Sequence, residues 1–135
     1  MAIAKNVING ILSTIFAKGN YIALFSVMPT PSNESAYTEI NGTGYSRYEI
    51  KEGEFSVYNG EATSNKNMLL YLCDSTGGHG TAKGFGVFGE GKLLYYGEFK
   101  KEMPITYNTV PVIKKYSESK EEGVKVTVTS TETVG

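Results

Sequence analysis

A change of hydrophobic period near residue 20 constrains this chain more than any other feature. Before it, Ile3, Val7, Ile8, Ile11, Leu12, Ile15 and Phe16 recur at spacings of three and four, which gathers them on one side of a helix. Lys5, Asn6, Asn9, Ser13 and Thr14 take the other side. After it, apolar residues come in strand-length runs or in strict alternation, interrupted by Gly, Asn or Pro at intervals of roughly ten residues. One helix followed by short strands is therefore expected, with connections too short for helical crossovers and hence antiparallel pairing.

The spacing predicts the helix from Ala2 to Lys18, with Gly10 weakening its middle by about 1 kcal/mol. Lys18-Gly19-Asn20 supplies the stop, a basic last turn with glycine beyond it. Ile8, Ile11, Leu12, Ile15 and Phe16 are the candidate assembly residues of this helix. Such a stripe fits a partner's groove and the chain's own sheet alike, and packing on its own sheet is the favoured reading.

Tyr21 to Val27 is a continuous apolar run and reads as a central strand covered on both faces. Thr30 to Thr43 is polar and carries prolines and Asn-Gly, so it reads as a surface loop. Gly44–Ile50, Phe55–Tyr58, Asn67–Cys73, Lys83–Phe88 and Lys92–Phe99 are the next expected strands. Asn59-Gly60 and Gly89-Glu90-Gly91 mark turns. Beyond Pro104 an edge strand or bend around Val110, Val112 and Ile113 is interrupted by Pro111. A charged turn follows at Ser117–Glu122, then an alternating strand carries Val124, Val126 and Val128. The expected architecture is an all-β, jelly-roll-like antiparallel β-sandwich of seven to eight strands with one N-terminal amphipathic helix. It forms one domain over residues 1–135: helix 1–18, sandwich 19–130 and tail 131–135.

Charge and composition limit the function. The formal net charge is -1, with 13 Lys and Arg against 14 Asp and Glu. Arg47 is the single arginine, so clustered phosphate contacts and bidentate base reading have almost no raw material, and nucleic-acid binding is not expected. No apolar run approaches the roughly 20 residues that cross a bilayer, and Lys5, Asn6, Asn9 and Gly10 interrupt any secretory signal pattern. No membrane partner is expected. Cys73 lies in the apolar run Met68–Cys73 and reads as a buried, inert thiol, compatible with assembly in a bacterial cytoplasm.

The search for chemistry ends in structural readings. Gly84-Phe85-Gly86-Val87-Phe88-Gly89 spaces its glycines like a dinucleotide loop, yet a turn and strand follow where that loop needs a helix N-terminus. Glycines alternating with aromatics suit a close approach by a second sheet instead. Gly77–Gly84 lacks the Lys-Ser/Thr ending of a phosphate loop. His79 is the only histidine and sits in a glycine loop, read as a mobile place that cannot hold catalytic geometry. One His and one Cys make no metal set. Glu52, Glu54, Glu118, Glu121 and Glu122 fall in turn-like runs and read as solvated. No cofactor, metal or enzymatic activity is expected. Among the tyrosines, Tyr71 and one of Tyr95 and Tyr96 should pack inward, because neighbouring strand residues face opposite ways.

Three ordered segments resemble a family of small phage proteins described as tail-fibre-like or phage structural proteins. They are the helix leading to Tyr21-Ile22-Ala23-Leu24-Phe25-Ser26, then Gly42-Thr43-Gly44-Tyr45-Ser46-Arg47, then the pair Gly84-Phe85-Gly86-Val87-Phe88 and Leu93-Leu94-Tyr95-Tyr96-Gly97. The likeness runs to about Phe99 and departs between Pro104 and Glu122. Within it, Gly44, Tyr45, Phe85, Gly86, Phe88, Leu94, Tyr95 and Gly97 carry the family-like pattern. The resemblance implies a virion structural protein of tail, neck or head surface, homo-oligomeric and in contact with other virion proteins. The alternative expectation is a glycan- or receptor-binding adhesin module using exposed tyrosines.

Overall fold

The computed structural model describes residues 3–128. Helix α1 (Lys5–Ile15) is followed by β1 (Tyr21–Val27), β2 (Thr38–Glu39), β3 (Tyr48–Glu49), β4 (Phe55–Tyr58), β5 (Glu61–Ser64), β6 (Met68–Leu69), β7 (Gly80–Gly89), β8 (Lys92–Ile105), β9 (Val112–Ile113) and β10 (Lys125–Thr127). The largest sheet runs β2-β1-β7-β8, with β3 also pairing with β1; β10-β5-β4 and β6-β9 form two smaller ones. Every named pair is antiparallel. The result is the expected sandwich-like, mostly β fold, with more and shorter strand segments than the sequence suggests. The expected helix start at Ala2 and the expected tail at 131–135 lie outside the described residues.

The helix ends earlier than its apolar spacing implies because its last carbonyls find a partner. The Asn20 side-chain amide donates to Thr14 O and Ile15 O at 3.0 and 2.9 Å, satisfying orphans that Lys18 was expected to neutralise. Ile8, Leu12 and Phe16 are buried in the main core, and Ile15 packs against it. This face therefore covers the chain's own sheets, in contact with β4, β5 and β7. Opposite it in the core lie Ile22, Leu24, Phe85 and Val87 of the large sheet, with Ala62, Met68, Ile113 and Val126 from the smaller ones. Burying a side chain such as Leu12 or Leu24 contributes about 1.5–3 kcal/mol.

Because β1 and β7 alternate, the other face of the large sheet has its own small cluster: Ala23, Phe25 and Phe88 with Met28, Tyr37, Leu93 and Tyr96 against them. Tyr95 packs on the main core and Tyr96 on this second cluster, one on each side as adjacent strand residues must be. Gly84 and Gly86 of β7 belong to the second face, where among the described residues no second sheet approaches them. In register, Phe25 lies opposite Gly84 and Ala23 opposite Gly86. A Cβ on Gly86 would stand 2.5 Å from Phe25 Cζ and 2.9 Å from Leu93 Cδ1. Side chains of the flanking strands fold over the glycines, which corrects the expected sheet-on-sheet contact.

The backbone accounts for one expected turn that brings in an unexpected strand and for one expected boundary that moves. Asn59 and Gly60 both have positive φ, 55° and 81°, the geometry of a tight hairpin turn, and the chain returns at once as β5. Strand β8 does not stop at Phe99. Gly84 pairs with Glu98 and Ala82 with Met103, so Phe99, Lys100, Lys101 and Glu102 all oppose Lys83 in a large bulge. The strand then resumes through Pro104, opposite Thr81, a residue type tolerated because β8 lies at the sheet edge.

Candidate assembly surfaces

The five helix residues singled out from sequence divide by depth. Ile8, Leu12 and Phe16 are buried and Ile15 half-buried, while Ile11 is 46% exposed. The outward side carries a different stripe. Val7 and Ile11 on α1, and Ile3 just ahead of it, are 52%, 46% and 43% exposed. The even spacing of these three on the hydrophobic side was visible, but nothing in a sequence says which half of a wide apolar arc meets the sheet. Other large apolar side chains at the surface include Leu69, Leu72 and Val110, near the β6–β9 ladder, and Tyr58, 80% exposed at the β4–β5 turn.

The family-like residues occupy load points of the fold. Gly44 has φ +96°, and a Cβ there would overlap the Leu72 carbonyl. Tyr45 packs edge-on against Tyr71, centroids 5.0 Å apart. Its hydroxyl donates to Glu39 Oε2 at 2.6 Å and accepts from Leu24 N–H at 3.1 Å. Phe85 is buried between Tyr95 and Phe99. Gly97 leaves room for the Tyr95 hydroxyl, which a Cβ would meet at 2.6 Å. Leu94 is 40% exposed, with its Cδ1 over Gly89. Phe88 sits under the Arg47 guanidinium, 3.9 Å from the ring centroid.

Arg47 thus has an internal task. Nε and Nη2 donate to the two Glu39 oxygens at 3.0 and 2.9 Å, a bidentate pair. Burial pushes the Glu39 carboxyl up, but the bonds from Arg47 and Tyr45 outweigh it and the net shift is downward. Burial, then the bond to Glu39, pushes the Tyr45 phenol far above its ordinary value. Segment 37–47 is therefore clamped to the large sheet through Glu39, and its end at β2 was missed because two residues leave no periodic signal.

His79 overturns its expected mobility. It is buried, with Nδ1 2.8 Å from the Tyr71 hydroxyl and Nε2 2.9 Å from Ser75 Oγ. A neutral imidazole offers one donor and one acceptor, so one hydroxyl accepts and the other donates. Tyr71 stacks on the ring at 5.5 Å, and burial, then the Cys73 thiol, pushes its phenol up to about 12. Cys73 is fully buried, as its apolar run suggested. Ser75 Oγ also accepts from Thr43 N–H at 3.1 Å, so the histidine pins the glycine loop to the 42–45 turn.

Two of the carboxylates read as solvated are held. Glu54 is buried, accepting from Tyr48 Oη at 2.5 Å and Lys51 N–H at 2.7 Å. Glu122 pairs with Lys114 Nζ at 2.7 Å, which holds its carboxyl below the usual range. Between β8 and residues 116–127 lies a shallow cleft of about 280 Å³, floored by Phe85, Tyr95, Phe99 and Val124 and rimmed by Glu98 and Lys100. Among the described residues no group of three His, Cys, Asp or Glu is placed to hold a metal ion. Among the described residues no helix is long and apolar enough to cross a membrane.

Comparison with known proteins gives a family match. The model of a family described as podophage GP4 fiber I protein gp80 matches residues 2–118, extending past Phe99, where the resemblance read from the residues ends. No curated protein and no solved structure matches the chain.

Proposed function

We propose a function from one premise: the chain belongs to the family of the podophage GP4 fiber I protein gp80, and is a phage fibre structural protein and virion component. Its role is mechanical assembly, in which the outer side of α1 docks on a second copy or on a neighbouring virion protein after synthesis in the bacterial cytoplasm. The observation that carries this reading is that Val7 and Ile11, with Ile3 just ahead of the helix, are left outside while the adjoining flank of the same apolar arc, Ile8, Leu12 and Phe16, fills the core. A helix whose apolar arc is wider than the flank packed on its own sheets has an apolar face in excess of what those sheets cover.

The test is a Val7→Glu, Ile11→Glu double variant. Both positions are exposed, and such surface changes usually shift stability by within about 0.5 kcal/mol each. Light scattering after size-exclusion chromatography, and cross-linking to virion proteins, should show association in the parent and its loss in the variant. Unchanged association in a folded variant would remove α1 from the interface.

Adhesion to a host glycan or receptor is the second reading, supported by Tyr58 at the tip of the β4–β5 turn. It predicts saturable glycan binding that Tyr58→Ala abolishes, with association unaffected.

A further inference from the structure

We propose that Asn41 is a site of spontaneous covalent modification, converting to an aspartyl or isoaspartyl residue, while the fold protects the chain's two other Asn-Gly pairs. The chemistry is intramolecular. The Gly42 backbone nitrogen loses its proton and attacks Asn41 Cγ. The new N–Cγ bond closes a five-membered imide, the Cγ–Nδ2 bond breaks, and ammonia leaves with the proton. Water then opens either imide carbonyl, restoring the backbone or lengthening it by one methylene. Glycine in the second position speeds ring closure because no side chain obstructs it, and a hydrogen-bonded backbone N–H retards it.

Asn-Gly occurs at Asn9-Gly10, Asn41-Gly42 and Asn59-Gly60, and the structure treats them differently. Gly10 lies inside α1, where its N–H points along the helix axis to a carbonyl four residues back. Gly60 N–H donates to Asn9 Oδ1 at 2.7 Å, which engages the attacking nitrogen of one pair and the side-chain amide of another in a single bond. Asn41 is exposed, and among the described residues the Gly42 N–H has no protein acceptor. Gly42 cannot be exchanged for a bulkier residue, since its φ is +146° and a Cβ would overlap the His79 imidazole. Packing against the histidine thus keeps the reactive dipeptide in place. The next residue, Thr43, clasps the glycine loop: its N–H donates to Ser75 Oγ at 3.1 Å and its carbonyl accepts from Asp74 N–H at 3.0 Å. An added methylene at position 41 loosens that clasp.

The purified chain, folded and separately in concentrated urea, is incubated at mildly alkaline pH and digested in acid. Mass spectrometry and isoaspartyl methyltransferase labelling then follow all three pairs. In the folded chain position 41 should convert at least about tenfold faster than positions 9 and 59, the ratio that one hydrogen bond of about 1.4 kcal/mol sets; in urea the three rates should converge. Asn41→Gln should abolish labelling of the folded chain. Conversion at Asn9 or Asn59 keeping pace with Asn41, or Asn41 converting only in urea, overturns the proposal.

Discussion

Replacing Gly86 by alanine should destabilise the protein, although the same exchange in a strand usually helps. The new methyl would lie 2.5 and 2.6 Å from Phe25 Cζ and Cε2 and 2.9 Å from Leu93 Cδ1. Leu93 is half-buried and its terminal methyl can swing away. Phe25 has no such freedom. It is fully buried, stacked on Tyr37 at 4.5 Å and edge-on to Phe88 at 6.3 Å. Overpacking a site of this kind costs about 1–3 kcal/mol, while removing a strand glycine returns about 0.5–1 kcal/mol. At the middle of those ranges the net loss is about 1 kcal/mol, a measurable part of the roughly 5–15 kcal/mol that holds a domain folded. Gly10→Ala is the matched control, since a Cβ there meets nothing within 4 Å and should stabilise α1 by about 0.5–1 kcal/mol. Urea unfolding followed by circular dichroism separates the two as midpoint shifts of opposite sign at constant slope. A Phe25→Leu background completes a double-mutant cycle, in which the Gly86→Ala penalty should shrink because the ring tip is gone. An undiminished penalty there, or a Gly86→Ala chain as stable as the parent, would refute the claim that the Phe25 ring occupies the glycine's missing side-chain space.

Two further outcomes concern the polar clamps. His79→Phe should cost about 1–3 kcal/mol, because it strands the buried Tyr71 hydroxyl and frees Ser75; His79→Gln should recover part of it, and equal stabilities in urea would deny the histidine any holding role. For Glu39 the folded carboxyl lies below its ordinary value of 4.5, so its contribution is intact above that pH and lost as pH falls through the lower folded value. Glu39→Gln should accordingly flatten the acid limb of the stability curve, and superimposable acid limbs in the two proteins would show that the pair with Arg47 contributes nothing there.

The parts of the fold legible in the sequence are those where large apolar side chains repeat. The α1 spacing, the β1 run, β4, the β7–β8 hairpin and the alternation ending in β10 all rest on Ile, Leu, Val, Phe and Tyr. Strand β5 escaped because its inward residues are Ala62 and Ser64, which carry no hydrophobic signal. Ser64 is nevertheless a junction: its hydroxyl donates to Lys114 O and accepts from Val124 N–H. His79 and Glu54 were misjudged for a related reason. Local sequence shows the glycines and charges around them, whereas their partners come from Tyr71 and Ser75 in one case and Tyr48 in the other. Which half of its apolar arc α1 turns inward was likewise invisible, since it depends on β4 and β5 arriving beneath it.

The irregular edge of β8 bears on how such a protein behaves at high local concentration. A straight outer strand of this length would offer its backbone to any other extended chain, and copies would stack sideways without limit. The displaced stretch from Phe99 to Glu102, two lysines within it and the proline just beyond leave an incoming chain no continuous ladder to join. Any contact another chain makes along this edge is thereby left to side chains, without a shared run of backbone hydrogen bonds.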